Sequence, residues 1–390
     1  MQSELYWLYM QRVLGIASRK VADVINYFGS AEQFYYADIS QKRAAKLLSA
    51  RELERAKDTS LEKEKKVVAQ CDSRGYGIIT PDSPEYPSRL ENLPNPPCVL
   101  FIDGRLPEVD DEVLISIVGT RKATDYGVAV TAQLSKRLAE AGAVIVSGGA
   151  HGIDTAAHTG AISAGGRTIA VLGCGLGYPY LMENAAMRED IAHSGAVISE
   201  FAPGTPPSRY TFPVRNRIIS GLSLGTVVVE AGKKSGSLIT VNHALEQGRD
   251  VFAIPGDLSG RQNIGSNRLI VDGARPVLCP RDILVEYAAI YPHKLDLRGS
   301  SDPLEAVPLT ADDELTELPA VSDEQLLSDS LISELSPNAA AVYEAMGEIS
   351  DLEAIVGSTG LSGGDAMVAL TELEIARVIT ALPGGRYKRI

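Results

Sequence analysis

Between Val113 and Pro280 the chain repeats one pattern: a short apolar run, a turn, then a stretch of helical periodicity. The runs are Val113-Leu-Ile-Ser-Ile-Val118, Val144-Ile-Val-Ser147, Thr168-Ile-Ala-Val-Leu172, Ala196-Val-Ile-Ser199, Gly225-Thr-Val-Val-Val-Glu230 and Asp250-Val-Phe-Ala-Ile254. Near-continuous Val/Ile strands separated by helices belong in a parallel sheet covered on both faces. Val130, Leu134 and Leu138 recur at i, i+4 and mark one such helix. The pattern predicts an α/β domain: a Rossmann-like, doubly wound parallel sheet. Ligands of such sheets gather beyond the carboxyl ends of the strands, so the turns that follow the strands are where function is sought.

Three of those turns suit an anion. Gly119-Thr120-Arg121 follows the first strand, and Lys122 comes next. Ser147-Gly148-Gly149-Ala150-His151-Gly152 follows the second strand and opens a helix of small residues at Ile153-Asp154. Strand, glycine turn and helix start together aim backbone N–H groups at negative charge. Asp154 suits the helix dipole, as a cap or beside a ligand. Lys233-Lys234-Ser235-Gly236-Ser237 opens the helix after Glu230. It is not a Walker A loop, because the Gly-Lys-Ser/Thr spacing is absent. Gly173-Cys174-Gly175 follows the third strand, with Tyr178 and Tyr180 behind it.

The long connection before Gly225 holds the strongest cue for a polymer. Arg209, Arg215 and Arg217 lie within nine residues of each other, with Tyr210 and Phe212 among them and Asn216 between the last two arginines. Arginines pair with backbone phosphates, and aromatic rings stack bases without reading sequence. The alternative is a buried Arg–Asn network that braces the loops. Glu230 stands among these cations either as a base or, preferably, paired with Arg217 or Lys234. No nucleophile–base–orienter set accompanies it. The dinucleotide fingerprint G-x-G-x-x-G is missing and Ser147, not an acidic residue, ends the second strand, which disfavours NAD.

The flanks differ in character. Residues 1–70 read as a helical module in which Gly15-Ile16-Ala17 joins two helices and Gly29 stops the second. The layout fits a sterile-alpha-motif or helix-hairpin-helix module, but Ala17 stands where a phosphate-binding hairpin usually carries its second glycine, which favours a purely structural helical domain. Residues 71–298 hold the sheet with a proline-broken extension ahead of it. Residues 299–335 form an acidic linker, and 301–335 contain ten Asp or Glu and no Lys or Arg. Ser336-Pro337 starts a helix, and residues 336–390 read as a winged helix. Its candidate recognition helix, Ser362–Leu373, carries no Arg, Lys, Asn or Gln to read bases. The basic residues of this part, Arg377, Arg386, Lys388 and Arg389, lie in or near the wing around Pro383-Gly384-Gly385.

The net charge of −13 argues at first against a polyanionic partner. Outside 301–335 the balance is 40 acidic to 37 basic residues, a net of −3, so the acidity is mostly a linker property. Binding then depends on the local field. Cys71, Cys98, Cys174 and Cys279 form no C-x-x-C pair and read as reduced thiols. No metal, cofactor, membrane span or signal peptide is expected, and a cytoplasmic protein follows.

Ser116-Ile-Val-Gly-Thr-Arg121, Ser147-Gly-Gly-Ala-His-Gly-Ile-Asp-Thr-Ala-Ala-His158, Phe212-Pro-Val-Arg-Asn-Arg-Ile218, Glu230-Ala, Lys234-Ser-Gly-Ser-Leu-Ile-Thr240 and Val251-Phe-Ala-Ile-Pro-Gly256 together resemble the DprA/Smf DNA-processing family. The resemblance implies a non-enzymatic protein that binds single-stranded DNA, protects incoming strands in natural transformation, loads the RecA recombinase and acts as a homodimer. It places phosphate contacts at Gly119–Arg121, at the Ser147–Asp154 turn, at Arg215-Asn216-Arg217 and at Lys234–Gly236. One departure lies at the Tyr178-Pro179 rim, where Glu183 precedes Asn184 in place of a basic residue. A phosphoribohydrolase-type nucleotide enzyme is the competing reading on the same fold, though the Pro-Gly-Gly-x-Gly-Thr loop of those enzymes is missing near Glu230.

Overall fold

The structure, a computed structural model, describes residues 3–304, 336–347, 349–375, 379–382 and 386–389. From residue 305 on, the acidic linker lies outside the described residues, as do Arg377 and the turn Pro383-Gly384-Gly385. The chain divides into two compact units, 1–313 and 314–390.

The first unit starts with helices α1 (Ser3–Leu14), α2 (Val21–Phe28), α3 (Ala31–Tyr36), α4 (Ile39–Ala44), α5 (Ala50–Ala56) and α6 (Glu62–Arg74). Ser30, Asp38 and Ser49 cap α3, α4 and α5 through their side chains. In the α1–α2 turn both Gly15 and Ala17 have positive φ, at 87° and 56°, so an alanine does occupy the position where glycine is usual. Next come β1 (Gly77–Ile79), the short α7 (Ser88–Glu91) and β2 (Leu100–Gly104).

The alternating region then runs β3 (Leu114–Val118), α8 (Asp125–Glu140), β4 (Val144–Ser147), α9 (Ile153–Ser163), β5 (Thr168–Val171), α10 (Ala185–Ser194), β6 (Ala196–Ser199), α11 (Thr211–Leu222), β7 (Gly225–Val228), α12 (Ser237–Glu246), β8 (Asp250–Ala253), α13 (Ile264–Val271), β9 (Arg275–Pro276) and α14 (Arg281–Ala288). One nine-stranded sheet results, in the order β1-β2-β6-β5-β4-β3-β7-β8-β9. Strands β6 to β9 run parallel through the centre, and β2 and β1 extend the β6 edge antiparallel. Strand order reverses between β3 and β7, which is the switch point where such sheets bind ligands.

Side-chain alternation assigns the two faces. Ile115, Ile117 and Ile145 pack under α8, α9 and α14. Leu114, Val146, Ile169 and Val171 pack under Ile218, Ile219 and Leu222 of α11 and Val241 of α12. The small residues of α9 are explained by its closeness to α8: a Cβ on Gly160 would lie 2.4 Å from the Ala132 carbonyl oxygen. Tyr9, Met10 and Phe34 of the amino-terminal helices share one cluster with Phe101, Ala170, Leu172 and Val197 of the sheet. Each of the larger ones contributes ~1.5–3 kcal/mol of burial. At the other end the chain stays packed through Leu304, whose N–H donates to the Leu278 carbonyl at 2.9 Å.

The second unit contains α15 (Pro337–Ala345), β10 (Ile349–Asp351), α16 (Leu352–Thr359), α17 (Gly363–Ile375), β11 (Ile379–Leu382) and β12 (Arg386–Arg389). Its sheet has the order β10-β12-β11, and β11–β12 is the antiparallel wing. Ser336, Asp351 and Ser362 cap the three helices. Ile355, Ala369, Leu370 and Leu373 form its core. The outer side of α17 carries exposed Met367 and Val368, and Arg386 and Lys388 are exposed on the wing.

Candidate nucleic-acid interface

The turns after β3, β4, β5, β7 and β8 all lie at the carboxyl edge of the parallel strands. The first is locked by Glu230. Its buried carboxylate accepts the Thr124 N–H at 2.9 Å and the Thr124 hydroxyl at 2.6 Å. Thr124 in turn caps α8 by accepting the Gly127 N–H. The expected partnership of Glu230 with Arg217 or Lys234 is therefore not formed. The positive end of α8 lies just across the switch point and takes this carboxylate instead. The Thr120 N–H donates to the Glu230 carbonyl at 2.8 Å, which joins the β3 and β7 turns.

The β4 turn is tied down from within. Ser147 is fully buried and gives its hydroxyl to the Ile117 carbonyl at 2.7 Å, so its side chain stitches β4 to β3. The Gly148 carbonyl accepts from Arg215 Nη1 at 2.7 Å. The Gly149 carbonyl accepts from Asn184 Nδ2 at 3.3 Å. The Ala150 carbonyl accepts the Thr155 N–H at 3.1 Å and the Thr155 hydroxyl at 2.8 Å. The Ala150 N–H goes to Asp154 at 3.3 Å. Burial pushes the Asp154 carboxyl above the usual range, and the nearby Arg215 opposes that shift. Gly152 has φ 73°, and a Cβ there would lie 2.5 Å from the Thr120 oxygen. This close approach lets the Ile153 N–H reach the same oxygen at 3.2 Å. His151 is half-buried at the tip.

The arginine-rich segment departs most from expectation. It is not a loop: α11 begins at Thr211, and its inner face holds Arg215 and Arg217 along with Ile218, Ile219 and Leu222. Arg215 is 4% exposed and donates to the carbonyls of Gly148 and Val171. Arg217 is 1% exposed and pairs with the equally buried Glu200 at 2.7 Å. Both side chains thus belong to the buried bracing network that the sequence offered as the alternative. Burial also lowers the Arg215 pKa. Asn216 is half-buried and its amide reaches the Gly236 carbonyl at 3.5 Å. Phe212 serves as a platform: the Arg121 guanidinium lies 4.8 Å from its ring centre, and the Tyr180 ring is 5.7 Å away. Arg209 and Tyr210 stay exposed just ahead of α11.

At the β7 turn Lys233, Lys234 and Gly236 are exposed, while Ser237 is buried. The Ser235 and Ser237 hydroxyls bond each other at 2.8 Å, and the Ser235 hydroxyl also accepts the Ser237 N–H at the start of α12 at 3.4 Å. Two contributors were not found in the sequence. Asn184, 2% exposed, braces the β4 turn from the β5 loop. Arg261 is exposed on the β8 loop, which the Gly265 N–H ties to the Ala231 carbonyl at 2.6 Å. Glu183 is exposed, and beside the β4 turn is a cavity of about 260 Å³ lined by Gly149, Cys174, Tyr178 and Tyr180.

Among the described residues no group of three or more His, Cys, Asp or Glu side chains could hold a metal. No helix there is long and apolar enough to cross a membrane. Among those residues, Arg121, Lys122, Arg209, Lys233, Lys234 and Arg261 make no ion pair, while Arg217 and Arg275 do. A doubly wound sheet whose switch-point turns present unpaired cations and helix starts defines a Rossmann-like anion-binding protein. The chain belongs to the DprA/Smf family of DNA-processing proteins. The family model "DNA recombination-mediator protein A" matches residues 77–288, and the "DprA winged helix domain" matches 328–385. Protein Smf of Synechocystis is 38% identical over 327 residues, 80% of each chain. DNA processing protein DprA of Bacillus subtilis is 43% identical over 221 residues, 57% of this chain and 74% of that one. The crystal structure of DprA from Streptococcus pneumoniae superposes with TM-score 0.64 at 33% identity, covering 72% of this chain and 97% of that one. DNA processing protein A of Helicobacter pylori, described for its single-stranded DNA binding mode, has TM-score 0.50 at 29% identity, covering 55% of this chain and 97% of that one.

Proposed function

We propose that this protein binds single-stranded DNA without reading its sequence, protects incoming strands and hands them to the RecA recombinase during transformation and recombination. The observation that carries this reading is the row of cations without carboxylate partners along one sheet edge: Arg209, Arg121, Lys122, Lys233, Lys234 and Arg261. A mononucleotide needs fewer. The starts of α9 and α12, which follow β4 and β7, add the positive ends of their helix dipoles to this edge. The protein acts in the cytoplasm, as a homodimer and without catalysis. Glu230, the acidic group on which the nucleotide-cleaving reading rests, already accepts two hydrogen bonds from Thr124.

Gel shifts with single-stranded and duplex oligonucleotides over a salt series test the proposal. Tighter binding to single strands is expected, with log K falling by roughly 0.7 per phosphate contact for each tenfold rise in salt. Equal affinity for duplex would overturn it. Base release from nucleoside monophosphates would favour the enzyme instead.

A further inference from the structure

Building on the proposal that this edge takes a phosphate backbone, the geometry points to Asn184 as a positioning residue for the anion, acting through the β4 turn. Three successive carbonyls of the turn are held by protein groups. Arg215 takes that of Gly148, Asn184 that of Gly149, and Thr155 that of Ala150. In a trans peptide the N–H points opposite to the carbonyl. Holding the Gly148 and Ala150 oxygens inward thus turns the N–H groups of Gly149 and His151 the other way. Among the described residues neither N–H has a hydrogen-bond partner. The peptide between them is clamped at both ends, its oxygen by Asn184 and its N–H by Asp154 at 3.3 Å. Gly149 has φ 69°, the left-handed conformation that anion-binding backbone turns use.

Asn184 is built for this task. It is 2% exposed, and Nδ2 is shared between the Gly149 carbonyl and the Thr155 hydroxyl at 3.1 Å. That hydroxyl donates onward to the Ala150 carbonyl, so one amide fixes two of the three peptides. The loop that delivers Asn184 holds Leu181 at φ +47°, a conformation that non-glycine residues avoid. The Leu181 carbonyl is held there by the Asn184 N–H at 3.0 Å and by Arg188 at 3.0 Å. Strain of this kind persists where the surroundings over-determine it, commonly at ligand clamps. Asn184 thus touches no phosphate itself; it fixes the direction of the groups that do.

The test uses the full chain with Asn184→Asp, which keeps the shape and removes the donor, and Thr155→Val, which removes the relay hydroxyl. Inorganic phosphate at constant ionic strength is the first probe, read as a rise in thermal midpoint. A thymidine oligonucleotide over a salt series is the second. Both variants are expected to unfold cooperatively, to lose the phosphate-induced rise and to bind the single strand roughly tenfold more weakly, as for one lost charge-assisted hydrogen bond. Their salt slope should fall by about one phosphate contact. Variants that keep the wild-type phosphate response and salt slope would overturn the role of Asn184. If Asn184→Asp fails to fold, Thr155→Val decides between the same two results. Absence of single-strand binding by the wild-type protein would instead overturn the proposed function, and the phosphate probe would still return one of those results for Asn184.

Discussion

Arg217 and Glu200 form a buried ion pair: 2.7 Å apart, each side chain 1% exposed, one on α11 and the other just past β6. Gln11 of α1 adds a bond to the Glu200 carbonyl at 3.2 Å. Removing one partner strands a charge in the interior. Arg217→Met is therefore expected to lower unfolding free energy by about 3–5 kcal/mol. The double variant Arg217→Met/Glu200→Leu should be considerably more stable than the single one, because an apolar pair of similar volume often replaces a buried salt bridge at little cost. Denaturant titration of the four proteins in the cycle checks this.

Arg121 should behave in the opposite way. It rests on Phe212 and forms no ion pair among the described residues. Arg121→Ala is expected to leave the thermal midpoint nearly unchanged and to weaken single-strand binding, with the salt slope reduced by roughly 0.7. Phe212→Leu removes only the platform and should cost less, about 0.5–1 kcal/mol of binding. Salt-dependent fluorescence anisotropy separates the two.

Gly152 is the point where two turns touch. Gly152→Ala places a Cβ 2.5 Å from the Thr120 oxygen and 2.7 Å from that of Arg121, at a φ of +73°. A stability loss of at least about 1–2 kcal/mol is expected from the backbone alone. Because the clash displaces the Arg121 peptide, single-strand affinity should fall even well below the unfolding temperature. Unchanged affinity in a folded variant would show that the two turns move independently.

His158 makes stability depend on acid. Thr168 gives its hydroxyl proton to the Ile145 carbonyl, so the His158 ring must carry its hydrogen on Nδ1, facing Thr168 Oγ1 at 2.8 Å. Nε2 is then a bare, buried acceptor. Burial, and next the charge of Arg215, lower the pKa from 6.5 to about 3. The unfolded chain takes the proton more readily than the folded one. This contribution is complete above pH 6.5 and is lost as pH falls toward 3. Each unit in that window costs up to about 1.4 kcal/mol. His158→Asn keeps a donor for Thr168 and should flatten the wild-type decline between pH 6 and 4, measured by urea midpoints.

Glu230 is expected to act through structure. Glu230→Ala leaves the Thr124 N–H and hydroxyl without their acceptor at the head of α8 and should cost ~1–3 kcal/mol of stability. Neither the wild-type protein nor the variant should release base from nucleoside monophosphates, as followed by chromatography.

The sheet was legible because its strands are continuous Val/Ile runs, a signal that survives without any knowledge of partners. The glycine turns were legible for a similar reason, since their chemistry is local. What the sequence hid was pairing at a distance. Glu200 precedes Arg217 by 17 residues and Thr124 lies 106 residues from Glu230, so nothing local told a buried brace from a phosphate contact. The start of α11 was masked by Pro213 and by aromatic residues that read as loop. Asn184 looked ordinary because its importance lies in which carbonyl it holds. Arg261 sits on a loop brought beside the β7 turn by the β7–β8 pairing and by the Gly265–Ala231 hydrogen bond, neither of which is local in sequence.

Tyr9, Met10 and Phe34 rest on the sheet beside Phe101 and Leu172. What reads in the sequence as an attached helical module is, in three dimensions, one wall of the main core. A chain cut just before β1 would bare that wall to water along the β2–β6–β5 side. The amino-terminal helices are therefore bound to this sheet by inheritance: they can diverge in sequence, but they cannot be exchanged as a cassette without a new sheet face to receive them.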